Sequence, residues 1–217
     1  MTKIILFDMD GTLIDSTDAI YEGFCVVFEK HKMPILGREE VAQYIGYPLD
    51  EMFAFLGAER GRIEQLCADY KTHYIKIHIA KTKMLSGAVE AIKTASEFAH
   101  LGIVTTKSSD SSRNLLAHFG VARHFEVIIG KNNVAHPKPH KEPILKALAE
   151  MRGFGENAEA HNSFMIGDTI LDLMAAQSAG IVGLGVLCGY GKREDLEKYS
   201  KFIFENTQMA VEFVRQI

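Results

Sequence analysis

The stretch Lys3-Ile4-Ile5-Leu6-Phe7-Asp8-Met9-Asp10-Gly11-Thr12-Leu13 decides the reading of the whole chain. Ile4 to Phe7 carry no polar side chain and are rich in strand formers, which predicts a strand buried on both faces, as in the parallel sheets of α/β folds. Asp8 and Asp10 then fall at the carboxyl end of that strand, the end where open α/β sheets bind their ligands. Gly11 lets the backbone turn tightly beside a bound group. Two carboxylates one residue apart repel each other and are costly to desolvate, so aiming both at one spot calls for a cation between them or a shared proton. A divalent metal meets that demand.

Three stretches further along have the same character. Leu101-Gly102-Ile103-Val104 is an apolar run that ends at Thr105, and Phe164-Met165-Ile166 leads into Gly167-Asp168-Thr169-Ile170-Leu171-Asp172. Lys138 lies between Pro137 and Pro139, which stiffen the backbone and confine its ammonium. Asp168 and Asp172 are four residues apart at a strand-to-helix junction, a spacing that lets both face one pocket. Carboxylate oxygens suit Mg²⁺, and one fixed positive charge at Lys138 offsets the repulsion between an anionic substrate and an anionic nucleophile.

These four segments, in this order, resemble the four motifs of the haloacid dehalogenase superfamily, a group of mostly Mg²⁺-dependent phosphatases. The resemblance covers residues 1–15 and about 85–217. It implies that Asp8 is the nucleophile, forming an aspartyl-phosphate, and that Asp10 protonates the leaving alcohol and then activates water. It also implies metal ligation by Asp8, Asp168 and the backbone carbonyl of Asp10, with Asp172 supporting metal-bound water or Lys138. Thr105 is expected to bind a phosphate oxygen. Relatives often carry Asn where Thr106 stands, so the choice between Thr105 and Thr106 stays open.

Between the first and second motifs the pattern is helical. Asp15-Ser16 offers capping chemistry, and Ile20, Phe24, Val27 and Phe28 recur at helical period up to Met33-Pro34. Amphipathic stretches follow at 38–45, from Pro48 through Phe53, and from about Glu59 to Ala80. From Ser86 onward helices near 87–97, 110–118, 142–151 and 170–179 alternate with strands at 101–105, 125–129, 164–166 and 181–186. A short strand at 202–204 and a last helix close the chain. The expected architecture is a Rossmann-like parallel-sheet core over 1–15 and 84–217, with a small all-helical domain inserted over 16–83. That insert resembles the superfamily's helical caps, and Tyr47, beside Gly46 and Pro48, is a candidate for lining the substrate entrance.

Composition narrows the function. The 217 residues are 47% hydrophobic, with 24 Lys plus Arg against 28 Asp plus Glu and a net charge of −4. No basic cluster is interleaved with aromatics, which argues against nucleic acid as a partner. The first apolar run is too short for a signal peptide and no stretch is long enough to span a membrane, so a soluble cytoplasmic protein is expected, monomeric or homodimeric. Cys25, Cys67 and Cys188 are odd in number and widely spaced, and read as reduced structural residues. His136 and His140 flank Lys138, but the prolines between them argue against a helical metal pair. Within the superfamily, the second acid Asp10 points away from dehalogenases and toward phosphate-monoester hydrolysis of a small phosphorylated metabolite. The chain is most similar to phosphoglycolate phosphatases, with pyrophosphatases and sugar-phosphate phosphatases or phosphomutases as alternatives. A non-catalytic phospho-acceptor module is less compatible, because receiver domains have no helical insertion after their first strand.

Overall fold

A computed structural model describes residues 3–151 and 162–217. The polar, glycine-containing stretch 153–162, whose composition predicts a loop, lies outside the described residues except for its last position. β1 (Lys3–Phe7) forms the centre of the sheet, and alternation along it sends Ile5 and Phe7 into one core and Ile4 and Leu6 into the other. That is the physical meaning of an unbroken apolar run: both faces of the strand are covered. β2 (Ile14–Asp15) follows a tight loop in which the Gly11 N–H donates to the Ile14 carbonyl.

The insert then packs α1 (Thr17–Lys30), α2 (Arg38–Ala42), α3 (Leu49–Phe55) and α4 (Ile63–Ile77) around a core of their own. Phe24 is its hub, with ring centroids 4.6 Å from Phe53 and 5.2 Å from Tyr70. α1 ends at Lys30, short of Met33-Pro34, because Lys32 takes a left-handed φ of 54°. The Lys32 and Met33 N–H groups then close back on the carbonyls of Glu29 and Phe28, a C-terminal cap that ordinarily uses glycine. The long helix read over 59–80 is shorter too, with a single 3₁₀ turn at Arg60–Arg62 before α4. The return from the insert is not helical to residue 83, because β3 (Lys83–Met84) pairs antiparallel with β2, Ile14 opposite Met84 and Asp15 opposite Lys83.

The rest of the chain alternates α5 (Ala88–Ser96), β4 (Ala99–Val104), α6 (Ser109–His118), β5 (Val127–Ile129) and α7 (Glu142–Glu150). β6 (Ser163–Gly167), α8 (Ile170–Ala179), β7 (Val182–Val186), α9 (Arg193–Leu196), β8 (Ile203–Phe204) and α10 (Thr207–Gln216) complete it. All six strands of the main sheet run parallel in the order β5-β4-β1-β6-β7-β8. α5, α6 and α10 bury their apolar residues on one face, and α7 and α8 on the other. No helix among the described residues is long and apolar enough to cross a membrane. Cys25, Cys67 and Cys188 are all free thiols.

Candidate active site

Register brings the acids together. Phe7 lies opposite Ile103 on one side and Ile166 on the other, so the three neighbouring strands β4, β1 and β6 end side by side. Parallel strands are about 4.8 Å apart, and each of these delivers its first polar residues into the same crevice: Thr105, Asp8 and Asp168. The ladder continues one step past the strands, with Asp8 N–H donating to the Ile166 carbonyl (2.9 Å) and Thr105 N–H to that of Ile129 (3.0 Å). These backbone bonds fix where the side chains start. Asp8, Asp10, Thr105, Lys138, Asp168 and Asp172 are all buried.

Lys138, in the turn before α7, reaches the same centre. Its Nζ lies 2.8 Å from Asp8 Oδ1, donates to Asp172 Oδ1, and donates to the Val104 carbonyl at 2.9 Å. Asp172 is held in turn by Thr169, whose N–H and hydroxyl donate to its Oδ2 at 3.0 and 2.7 Å at the start of α8. Asp168 accepts from the Thr12 hydroxyl (2.9 Å) and the Tyr190 N–H (2.8 Å). A Cβ at Gly11, where φ is +84°, would collide with the Asp168 carboxylate, so only glycine permits this approach.

Asp10 sits apart from the other acids. Its carboxylate accepts from the Ser16 hydroxyl and pairs with Lys107 Nζ at 3.1 Å. Lys107 also donates to the Tyr74 hydroxyl on α4, 2.9 Å away. Burial acts to lower the Lys107 pKa, yet Asp10 and Tyr74 outweigh it and hold the ammonium above its ordinary range. Lys138 behaves alike, with Asp172 and Asp8 overcoming its burial. Burial pushes Asp8 up to about 6 against the attraction of Lys138, with Asp172 and Asp10 adding repulsion. Burial, and then the charges of Asp8 and Asp172, raise Asp168 well above the carboxylate range.

The balance of charge sets what the site can hold. Four buried carboxylates, Asp8, Asp10, Asp168 and Asp172, face two ammoniums, Lys107 and Lys138. When all are ionised two negative charges are left over, and oxygens of Asp8, Asp168 and Asp172 lie within 4.8 Å of one another. Hard oxygen donors with a residual charge of that size fit a Mg²⁺ ion.

Of the two threonines, Thr106 donates its hydroxyl to the Gly46 carbonyl (2.8 Å), whereas the Thr105 oxygen accepts from the Lys107 N–H (3.3 Å) and keeps its own proton to donate. Tyr47 lines the cavity between insert and sheet, as does Thr106. Ser16, expected as a helix cap, makes no side-chain cap and donates to Asp10 instead, and Thr12, Tyr190 and Lys107 join the site without having been expected there. For Lys107 a signal was present, since it stands two residues beyond a strand-ending threonine. Tyr190 carries none, because it reaches Asp168 through its backbone. His136 and His140 do approach each other, with ring centroids 4.9 Å apart and Glu142 beside them, but on an exposed turn away from the buried acids.

An acid-lined crevice at the carboxyl end of a parallel sheet, roofed by a helical insert, defines a class of hydrolase. Residues 5–186 match the family described as haloacid dehalogenase-like hydrolase, and the chain belongs to it. Over 178 residues it is 33% identical to pyrophosphatase PpaX of Halalkalibacterium halodurans, covering 82% of this chain and 80% of that one. It is 30% identical over 203 residues to the Dickeya dadantii protein named "Probable phosphatase IndB", covering 91% and 86%. In fold it superposes on a haloacid dehalogenase-like family hydrolase from Streptococcus pneumoniae with a TM-score of 0.86, at 24% identity and 98% coverage of both chains.

Proposed function

We propose that the protein is a Mg²⁺-dependent phosphatase that cleaves a phosphorylated metabolite, a phosphate monoester, through an aspartyl-phosphate. The observation that carries this reading is the convergence of Asp8, Thr105, Asp168 and Lys138 at one sheet end, with Asp10 held separately beside them. Asp8 attacks phosphorus, forming an acyl-phosphate bond as the P–O bond to the leaving group breaks. Lys138 and Thr105 bind the phosphoryl oxygens, and Asp172 keeps Lys138 in place. Asp10 gives its proton to the leaving oxygen and then takes one from the water that hydrolyses the acyl-phosphate. Asp8, Asp168 and the Asp10 carbonyl would hold Mg²⁺, with Asp172 supporting from behind. A Mg²⁺ ion held there would offset the charge of the carboxylates and of the incoming phosphate.

The insert over 16–83 serves in this reading as a cap that excludes bulk water, entering and leaving through the paired strands β2 and β3. Motif resemblance favours phosphoglycolate with pyrophosphate as an alternative, and the names of relatives such as PpaX support that alternative. Incubation with a phosphate ester and Mg²⁺, followed by borohydride reduction and peptide mass spectrometry, tests the mechanism. Homoserine at position 8 is the expected product. Mg²⁺-dependent turnover with the reduced residue elsewhere, or with none, overturns the covalent route through Asp8.

A further inference from the structure

Between the insert and the sheet end lies a cavity of about 980 Å³, partly open to solvent, which Asp10 lines on behalf of the four buried acids. Ligand pockets run from about 300 to 1,000 Å³ and the upper end suits drug-sized molecules, so this space far exceeds what a glycolate or a second phosphate fills. The insert is nevertheless docked on the core. Thr106 donates to the Gly46 carbonyl, Lys107 to the Tyr74 hydroxyl, Lys131 pairs with Asp50, and the Thr17 and Tyr190 hydroxyls meet at 2.9 Å.

The lining is also of the wrong kind for a small anion. Ile20, Ile45, Leu49 and Met52 contribute aliphatic surface, and Tyr47 and Tyr74 contribute ring faces and edges. Tyr47 meets Phe55 edge to face at 5.2 Å, Tyr44 stacks on the same ring at 5.2 Å, and Phe55 itself is 48% exposed. Against this, two cations of the lining are already paired, Lys107 with Asp10 and Lys131 with Asp50. The other cations of the lining, Arg60 and Lys71, are exposed and share it with Glu51 and Glu64. A second phosphate, or the carboxylate of phosphoglycolate, would enter an apolar space without a buried cation of its own, which costs several kcal/mol.

Resting on the phosphatase reading above, we infer that the preferred substrate is a phosphate monoester whose leaving group is a bulky, uncharged, ring-bearing apolar body. Its phosphate sits on Asp8 and Lys138, and its ring lies between the aliphatic wall and Tyr47.

Two alkyl esters separate size from reactivity, because 2-phenylethyl phosphate and ethyl phosphate both release a primary alcohol. With Mg²⁺ present, kcat/KM for 2-phenylethyl phosphate should exceed those for ethyl phosphate, phosphoglycolate and pyrophosphate by about tenfold or more. Ala68 lines the cavity from an exposed position on α4, where the fold tolerates a larger side chain. Ala68→Trp should cut the ratio of 2-phenylethyl to ethyl phosphate kcat/KM by about tenfold. A ratio near one in the native protein, or preference for phosphoglycolate or pyrophosphate, overturns the inference. Calorimetry on Asp8→Asn protein with the same four compounds keeps the two ideas apart. If nothing is turned over, the phosphatase reading fails, while tighter binding of 2-phenylethyl phosphate still supports the cavity's preference and its absence refutes it.

Discussion

The sheet end and the helical insert face the same cavity but are built on different principles. At the sheet end, each reactive group is one or two residues past a strand whose register with its neighbours is fixed by backbone hydrogen bonds, so Asp8, Thr105 and Asp168 can hardly be placed otherwise. Across the cavity, Tyr47, Tyr74 and Met52 project from a helical core held by side-chain packing around Phe24. Backbone register tolerates almost any change in side chains facing a ligand, whereas packing shifts with each of them. If the chemistry rests on the first and selectivity on the second, as proposed, the two can vary independently.

The division is sharpest at Asp8. Asp8→Asn removes the carboxylate proposed to attack phosphorus while keeping its size, and kcat should fall below about 1% for every ester tested, since losing a covalent route costs several kcal/mol. A variant above that level would mean that the sheet end binds phosphate without attacking it. Metal removal should act as broadly. EDTA should abolish turnover and Mg²⁺ restore it, while Ca²⁺, with its looser and higher coordination, should inhibit. Full turnover in chelator would leave the excess negative charge of the four carboxylates unexplained.

How far these elements could be read in advance follows the same division. Each acid that punctuates an apolar run was legible, because a buried strand and a polar residue at its end are both local signals. Lys138 was legible through its two prolines. The contact between Lys107 and Tyr74 was not, since it depends on how α4 is turned 33 residues away in the chain. Nor was the end of α1, where a lysine takes the position that glycine usually marks. The contact that engages the Thr106 hydroxyl was not legible either, since it needs the carbonyl of Gly46, a partner from the insert.

Phe24→Ala tests whether the insert is a unit in its own right. The ring is buried, at 1% exposure, and removing it should cost about 3–5 kcal/mol. If the insert packs independently, amide exchange should rise across α1 to α4 while β1, β4 and β6 keep their protection. Uniform loss of protection in sheet and insert would show that the two share one cooperative core, and that the contrast between them is only one of geometry.

The smallest effect is expected at Tyr47, and it discriminates most finely. Tyr47 lines the cavity beside Gly46, whose φ of +107° sets the turn and whose carbonyl receives Thr106. Tyr47→Ala removes a ring that contacts Phe55 but leaves that backbone contact and all the buried acids in place. Losing one such ring from a binding wall is worth about 1–2 kcal/mol, or roughly 5–30-fold in kcat/KM. That loss should fall on p-nitrophenyl phosphate, whose ring can reach Tyr47, and much less on phosphoglycolate, whose leaving group is too short to do so. Comparing kcat/KM for the two substrates in the native protein and in Tyr47→Ala gives the answer as a change in their ratio. Equal losses on both would mean that the tyrosine holds the Gly46 turn against the sheet rather than the substrate against the cap, and selectivity would then have to come from the aliphatic wall of Ile20, Ile45 and Met52.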